Sequence, residues 1–260
     1  MNIAVVTGTG TGVGKTIATA ALAACALRAG QRVAVVKPVQ TGVAPGEPGD
    51  LAEVQRLTGV TDLHEYVRYP EPLAPATAAR RLGESGPDLA ELAGRIATLL
   101  DRDLVIVEGA GGALVRFNDQ DEGLCELVNA LQELVRSPYA DVETPRFQVV
   151  LVTGAGLGCL HDAAATAKAL DEWGLGPHHL VVGDWHARAG LAERCNLEDL
   201  PFYGGAPVRG VIPHGAGRLM PEAFAEVAIR SLTPALGGSF DAASFVRRHA
   251  APEPMRVSSQ

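Results

Sequence analysis

Ile3-Ala4-Val5-Val6-Thr7-Gly8-Thr9-Gly10-Thr11-Gly12-Val13-Gly14-Lys15-Thr16-Ile17 is the most informative stretch of the 260-residue sequence. A β-branched run leads into alternating glycines, and Lys-Thr then heads an Ala/Leu-rich segment near 15–29. Glycines let backbone N–H groups converge on a phosphate without Cβ clashes, and a helix starting there adds its partial positive charge. Lys15 would reach the β/γ oxygens and the Thr16 hydroxyl would ligate Mg²⁺. The common spacing G-x4-G-K-[ST] would begin at residue 9, which is Thr9, so the loop Gly8-x5-Gly14-Lys15-Thr16 is one residue longer. A dinucleotide fingerprint G-x-G-x-x-G fits less well. It opens on Gly8-Thr9-Gly10, but its third glycine would fall on Val13, and Lys-Thr at a helix start belongs to mononucleotide loops. The reading is nucleoside triphosphate binding through Gly12, Val13, Gly14, Lys15, Thr16 and Ile17.

Further short apolar runs follow at 33–36, 104–107, 149–152, 180–182 and 208–212, separated by helical candidates near 50–58, 88–100, 122–136, 160–173 and 221–231. The runs are continuous rather than alternating, as in strands buried on both faces. Strand and helix in alternation predict an α/β fold, a doubly wound and mostly parallel sheet flanked by helices, forming a single domain over 1–250. Pro70 to Pro75 (PEPLAP) reads as a surface loop, and residues 251–260 as a fraying tail. The 30 glycines and 17 prolines are dispersed, which suits many tight connections.

The formal net charge of −8 argues against a nucleic-acid partner, because phosphate neutralisation needs surplus Lys and Arg. The longest apolar stretch, Ile17 to Leu27, stops at Arg28, well short of the ~20 residues a membrane span needs. No secretory signal is apparent at the N-terminus. Cys25, Cys125, Cys159 and Cys195 are far apart and form no CxxC pair, so a reducing cytoplasm is expected.

Lys37 closes the second apolar run as Val-Lys-Pro-Val-Gln-Thr-Gly. A lysine at a strand's carboxyl end faces either water or a cleft, and anion binding is the favoured role. Glu108 ends another run and is followed by Gly109-Ala110-Gly111-Gly112, where a metal ligand or a solvated turn acid are both admissible. Asp50 heads Asp-Leu-Ala-Glu, a capping-box spacing that alone would account for it. His178, His179 and His186 match no ligand spacing and read as loop and strand-edge residues.

Taken together, GTGTGVGKT (8–16), VVKPVQTG (35–42), GDLAEV (49–54), PLAPATAA (72–79), VEGAGG (107–112) and LGCL (157–160) make the chain resemble the dethiobiotin synthetase family of P-loop NTPases across roughly residues 1–232. That family's phosphate loop carries the same additional residue. The resemblance implies a cyclo-ligase of biotin synthesis whose substrates are 7,8-diaminononanoate, CO2 and ATP or another NTP. One amine would take up CO2 as a carbamate, the carbamate would attack the γ-phosphate to give a carbamic-phosphoric anhydride, and the second amine would close the cyclic urea. Carried over by residue, Thr16, Asp50 and Glu108 would hold Mg²⁺, while Lys15 and Lys37 would be the catalytic lysines flanking the γ-phosphate and carbamate. Thr11, Thr41 and Gly111 would face the substrate. Gly158, Cys159 and Leu160 would receive its carboxylate across the interface of a homodimer with shared sites. Gly183, Pro213 and His214 would line the base pocket.

Three differences from the family stand out. His161-Asp162 follows LGCL where Asn-His is usual, Gly183 stands where an Asn reading the base is common, and the segment 118–147 is longer. Two other functions fit less well. A partition or placement ATPase of the same superfamily would carry a further lysine early in the loop, and Gly8 to Val13 has none. An amidotransferase-type ligase would need a glutaminase domain for which 260 residues leave no room.

Overall fold

Seven parallel strands form one sheet in the order β3-β2-β4-β1-β5-β6-β7, as seen in a computed structural model that describes residues 2–136 and 145–251. The strands are β1 (Asn2–Gly8), β2 (Val33–Thr41), β3 (Leu63–Tyr69), β4 (Leu104–Glu108), β5 (Arg146–Thr153), β6 (His178–Trp185) and β7 (Val208–Pro213). The helices are α1 (Lys15–Arg28), α2 (Asp50–Thr58), α3 (Pro75–Arg81), α4 (Leu89–Ala97), α5 (Leu124–Val135), α6 (Cys159–Glu172), α7 (Leu191–Tyr203), α8 (Pro221–Ser231) and α9 (Ala242–His249).

Successive residues of β1 feed opposite faces of the sheet. Ile3 and Val5 pack with α4, α5 and α6, whereas Ala4 and Val6 pack with α1, α2 and α8. A strand sandwiched this way has no polar face, which is why its sequence shows no alternation. β1 lies at the centre, with β4 and β2 to one side and β5, β6 and β7 to the other. The connection leaving β1 therefore sits over the crevice where the winding reverses, the place open α/β sheets use for ligands.

Four elements lie outside the expected set. β3 is a sheet-edge strand, half-buried along most of its length, that carries the Glu65–Arg68 ion pair. In α7, Pro201 interrupts the last turn, and α9 has no fully buried residue. The PEPLAP segment is a loop only as far as Ala74, because Pro75 is the first residue of α3, where its missing N–H costs nothing. The tail from 252 and residues 137–144 of the long segment lie outside the described residues. Among the described residues no helix is long and apolar enough to cross a membrane.

Candidate active site

The loop after β1 ends on Gly14, held at φ 97° as the N-cap of α1, with no side chain capping the helix. The first-turn amides of α1 are thus left for an external acceptor, and the turn carries no acid to compete with an anion. Gly183 of β6 backs the loop. A Cβ on Gly14 would come within 2.6 Å of the Gly183 carbonyl oxygen, and a Cβ on Gly183 within 2.0 Å of the Val13 oxygen. Two backbones meet there at a spacing that only glycine allows. Gly183 therefore supports the phosphate loop from behind, with no room for a side chain at that point.

A cleft of about 750 Å³ opens beside the loop, and its walls include Thr11, Gly12, Gly14, Lys15, Thr16 and Ile17. Lys37, Thr41, Asp50, Glu108 and Gly111 line the same cleft, although they come from three separate segments of the chain. The far wall is apolar and is made by Pro72, Leu73, Ala74, Pro75 and Val115. Gly158, Cys159 and Leu160 do not line it; they form the N-terminal end of α6, where Gly158 at φ 96° caps the helix without a side chain.

Charges concentrate at the floor of the cleft. The Lys37 ammonium lies 2.6 Å from Asp50 Oδ2 and 2.8 Å from Glu108 Oε1, and donates to the Gly109 carbonyl at 3.1 Å. Its side chain is 4% exposed and that of Glu108 0%, so this ion pair is screened from water. Burial alone would lower the Lys37 pKa, but Glu108 and Asp50 outweigh it and raise the pKa above the ordinary lysine value. Glu108 Oε1 also accepts from the Thr16 hydroxyl at 2.9 Å, while Oε2 is buried without a hydrogen-bond partner. Glu108 is thus no solvated turn acid.

Lys15 behaves differently. Its ammonium turns back to donate to the Gly10 carbonyl at 2.7 Å, and burial, followed by the nearby positive charge of Lys37, lowers its pKa. A phosphate would relieve both effects.

Asp50 is not the helix cap that its spacing suggested. Gly49 is the N-cap of α2, and the Asp50 backbone N–H donates to Gln40 Oε1 at 3.0 Å. The Gln40 side chain does the capping, which leaves the Asp50 carboxylate free to turn toward Lys37. Arg68 donates to the carbonyls of Ala44 and Glu47 and braces the intervening loop. Gln40 and Arg68 are positioning residues that no local sequence signal marked.

At the carboxyl ends of β6 and β7, His214 follows Pro213, and its Nδ1 lies 2.9 Å from Asp184 Oδ1. His186 stacks on His214 with ring centroids 3.9 Å apart. Spacing along the chain gave no hint of this grouping, because the pairing of β6 with β7 creates it.

A sequence profile described as an AAA domain matches residues 3–132. The chain is 53% identical over 250 residues to the ATP-dependent dethiobiotin synthetase BioD of Frankia casuarinae, covering 96% of this chain and 99% of that one. It is 47% identical over 252 residues to the protein of the same name from Streptomyces coelicolor, covering 96% and 99%. A third relative of that name, from Rhodococcus jostii, is 51% identical over 229 residues, covering 88% and 93%. Among solved structures, the fold is similar to a chain of the MinC:MinD cell division protein complex of Aquifex aeolicus, with TM-score 0.54, 13% identity and coverage of 98% and 99%. It is also similar to the cell division ATPase MinD of Pyrococcus furiosus, with TM-score 0.51, 18% identity and coverage of 95% and 96%. At such identities the two structures speak for the fold alone.

Proposed function

Because the chain belongs to the ATP-dependent dethiobiotin synthetase family, we propose that its cleft carboxylates and cyclises 7,8-diaminononanoate with CO2 and a nucleoside triphosphate, as a cyclo-ligase of biotin biosynthesis. The observation that carries this reading is the meeting of Lys15, Lys37, Asp50 and Glu108 around one cleft next to the free amides of α1.

Phosphoryl transfer asks for alignment and charge neutralisation more than covalent help. The loop from Gly12 to Ile17 would cradle the phosphates, with Lys15 leaving Gly10 to pair with them. Lys37, kept charged by its acids, would neutralise the carbamate and the transferring phosphoryl group as they approach. Thr11, Thr41 and Gly111 stand where the diamine end would lie. The apolar wall from Pro72 to Pro75, with Val115, suits the polymethylene chain. Gly183, Pro213 and His214 would flank the base, Gly183 through its hold on the loop.

The Thr16 hydroxyl and the Asp50 and Glu108 carboxylates are hard oxygen donors, and the unpartnered Oε2 of Glu108 fits a cation. These three residues would hold Mg²⁺, which would supply charge neutralisation to the phosphate oxygens.

A homodimer with shared sites follows from the same reading. The uncapped N-terminus of α6 at Gly158, Cys159 and Leu160 offers an anion site away from its own chain's cleft, and Leu157 beside it is 95% exposed. The catalytic unit would span residues 1–250, since α9 still packs Phe245 against Trp185 of β6. Cytoplasmic residence fits the four free cysteines.

The test mixes purified protein with diaminononanoate, bicarbonate, Mg²⁺ and each NTP in turn, and follows dethiobiotin by mass spectrometry. Dethiobiotin formed only with substrate and nucleotide together is expected. NTP hydrolysis without the cyclic urea would refute the proposal.

A further inference from the structure

Asp184, His186 and His214 each present one donor atom, and the three atoms lie within 4.8 Å of one another. We infer that they form a binding site for a divalent first-row transition-metal ion of the zinc class, separate from the oxygen-donor set of Thr16, Asp50 and Glu108.

The scaffold fixes the three residues. Asp184 and His186 are two apart at the end of β6 and share its exposed face, while Trp185 between them is buried. Trp185 packs edge-on against Phe245 at 5.5 Å and His249 at 6.1 Å, which anchors the strand end. The register of β6 on β7 shifts between Val182 and Trp185, an irregularity of the kind that re-aims side chains. Past it, Trp185 pairs with Pro213, and the His214 N–H donates to the Trp185 carbonyl at 2.8 Å. The backbone thus sets His214 beside the other two residues before any ion arrives.

Both imidazoles turn a nitrogen toward the same carboxylate. His214 Nδ1 is 2.9 Å from Asp184 Oδ1 and His186 Nε2 is 3.5 Å from Asp184 Oδ2, with the rings stacked at 21°. Two imidazoles and a carboxylate suit zinc, cobalt or nickel rather than magnesium, which prefers oxygen alone. A tetrahedral ion with bonds of ~2.0–2.2 Å needs donors about 3.4 Å apart, so donors that lie within 4.8 Å of one another must close by at most about 1.4 Å. Half-exposed side chains can rotate that far. Three protein donors leave at least one position open. Asp184 and His186 also line a cavity of about 280 Å³ together with Thr11, Gly12 and Val13, so the open position would look onto the outer wall of the phosphate loop.

The test uses tag-free protein stripped with a chelator and held in excess Mg²⁺, which keeps the oxygen donors occupied. CoCl2 is titrated while visible absorption is recorded, and ZnCl2 is then added in competition. One saturable equivalent of Co²⁺ displaced by Zn²⁺ is expected, with affinity about tenfold or more weaker in His186→Ala and in His214→Ala. Asp184→Asn should weaken it too. Far-UV circular dichroism establishes that each variant is folded. Absence of a saturable equivalent, or binding unchanged in both histidine variants, would overturn the inference.

Discussion

Replacing Lys37 with methionine keeps the length and most of the volume of the side chain but removes its charge. Glu108 is then left at 0% exposure with the Thr16 hydroxyl as its remaining hydrogen-bond donor. Removing one partner of a buried ion pair costs about 3–5 kcal/mol, against total stabilities of about 5–15 kcal/mol. At roughly 2–4 °C per kcal/mol for a chain of this size, the midpoint of thermal unfolding should fall by about 6–20 °C in the ligand-free protein. Combining Lys37→Met with Glu108→Gln should return part of that loss, because the stranded charge is gone, and a double-mutant cycle would read the coupling directly. The pH dependence has a definite sign. A lysine whose pKa is raised on folding contributes stability that is complete below its unfolded value of 10.5 and disappears as pH climbs through the higher folded value. The gap between wild type and Lys37→Met should therefore stay constant through neutral pH and close only in strong alkali. Dethiobiotin formation should be lost in the variant while nucleotide still binds. A destabilisation below about 1 kcal/mol, the range of solvated surface pairs, would refute the buried-pair reasoning.

Three further outcomes follow from the same geometry. Glu108→Gln should raise the Mg²⁺ concentration needed for half-maximal nucleotide turnover on the order of tenfold, since affinity for hard cations follows ligand charge; an unchanged Mg²⁺ titration removes Glu108 from the ligand set. Gly183→Ala would place a Cβ 2.0 Å from the Val13 oxygen, so the phosphate loop must shift, costing roughly 1–3 kcal/mol and much of the affinity for a fluorescent ATP analogue. Wild-type affinity in that variant would contradict the close packing. Cys25, Cys125 and Cys159 have thiols pushed up to about 11, with burial the largest cause, while Cys195 is only half-buried. Ellman's reagent at pH 8 should therefore titrate one thiol quickly in the native protein and four in guanidinium; two or more fast native thiols would count against the packing described.

Sequence legibility followed the physics of burial. β1, β2, β4, β5 and β6 lie inside the sheet and each carries an unbroken apolar run, and β7 at one edge keeps Val208, Val211 and Ile212 buried around Arg209 and Gly210. β3 at the sheet edge carries Glu65 and Arg68 and left no such trace. The phosphate loop was readable because the glycines and the Lys-Thr pair that shape it lie within nine residues, although Gly183, which backs it, gave no local sign of that role. Glu108 was only half readable, since its burial depends on β4 lying between β1 and β2, a long-range fact. Asp50 was left open between a helix cap and a metal ligand, because local spacing cannot show that Gln40, ten residues earlier, already holds the first amide of α2. The Asp184–His186–His214 grouping was invisible for the same reason, being made by strand pairing across 28 residues or more.

The floor of the cleft shows why these residues need one another. Glu108 gives a single oxygen to both Thr16 and Lys37 and leaves the other buried and unpartnered, an arrangement that costs about 1–3 kcal/mol in an ordinary core. A protein at marginal stability keeps such a group only where something else recovers the loss. Lys37 recovers part of it through charge, and Asp50 in turn holds Lys37 in place at 2.6 Å. The three form one set in which the buried charges of Lys37 and Glu108 are tolerable only beside each other, while Asp50, 35% exposed, braces the lysine. Lys15 stands outside that set with its pKa lowered, so the protein meets an arriving triphosphate with one lysine satisfied and one still seeking an anion. On the proposed function that asymmetry would give the two lysines different work, Lys15 drawing in the phosphates and Lys37 holding charge at the point where bonds change.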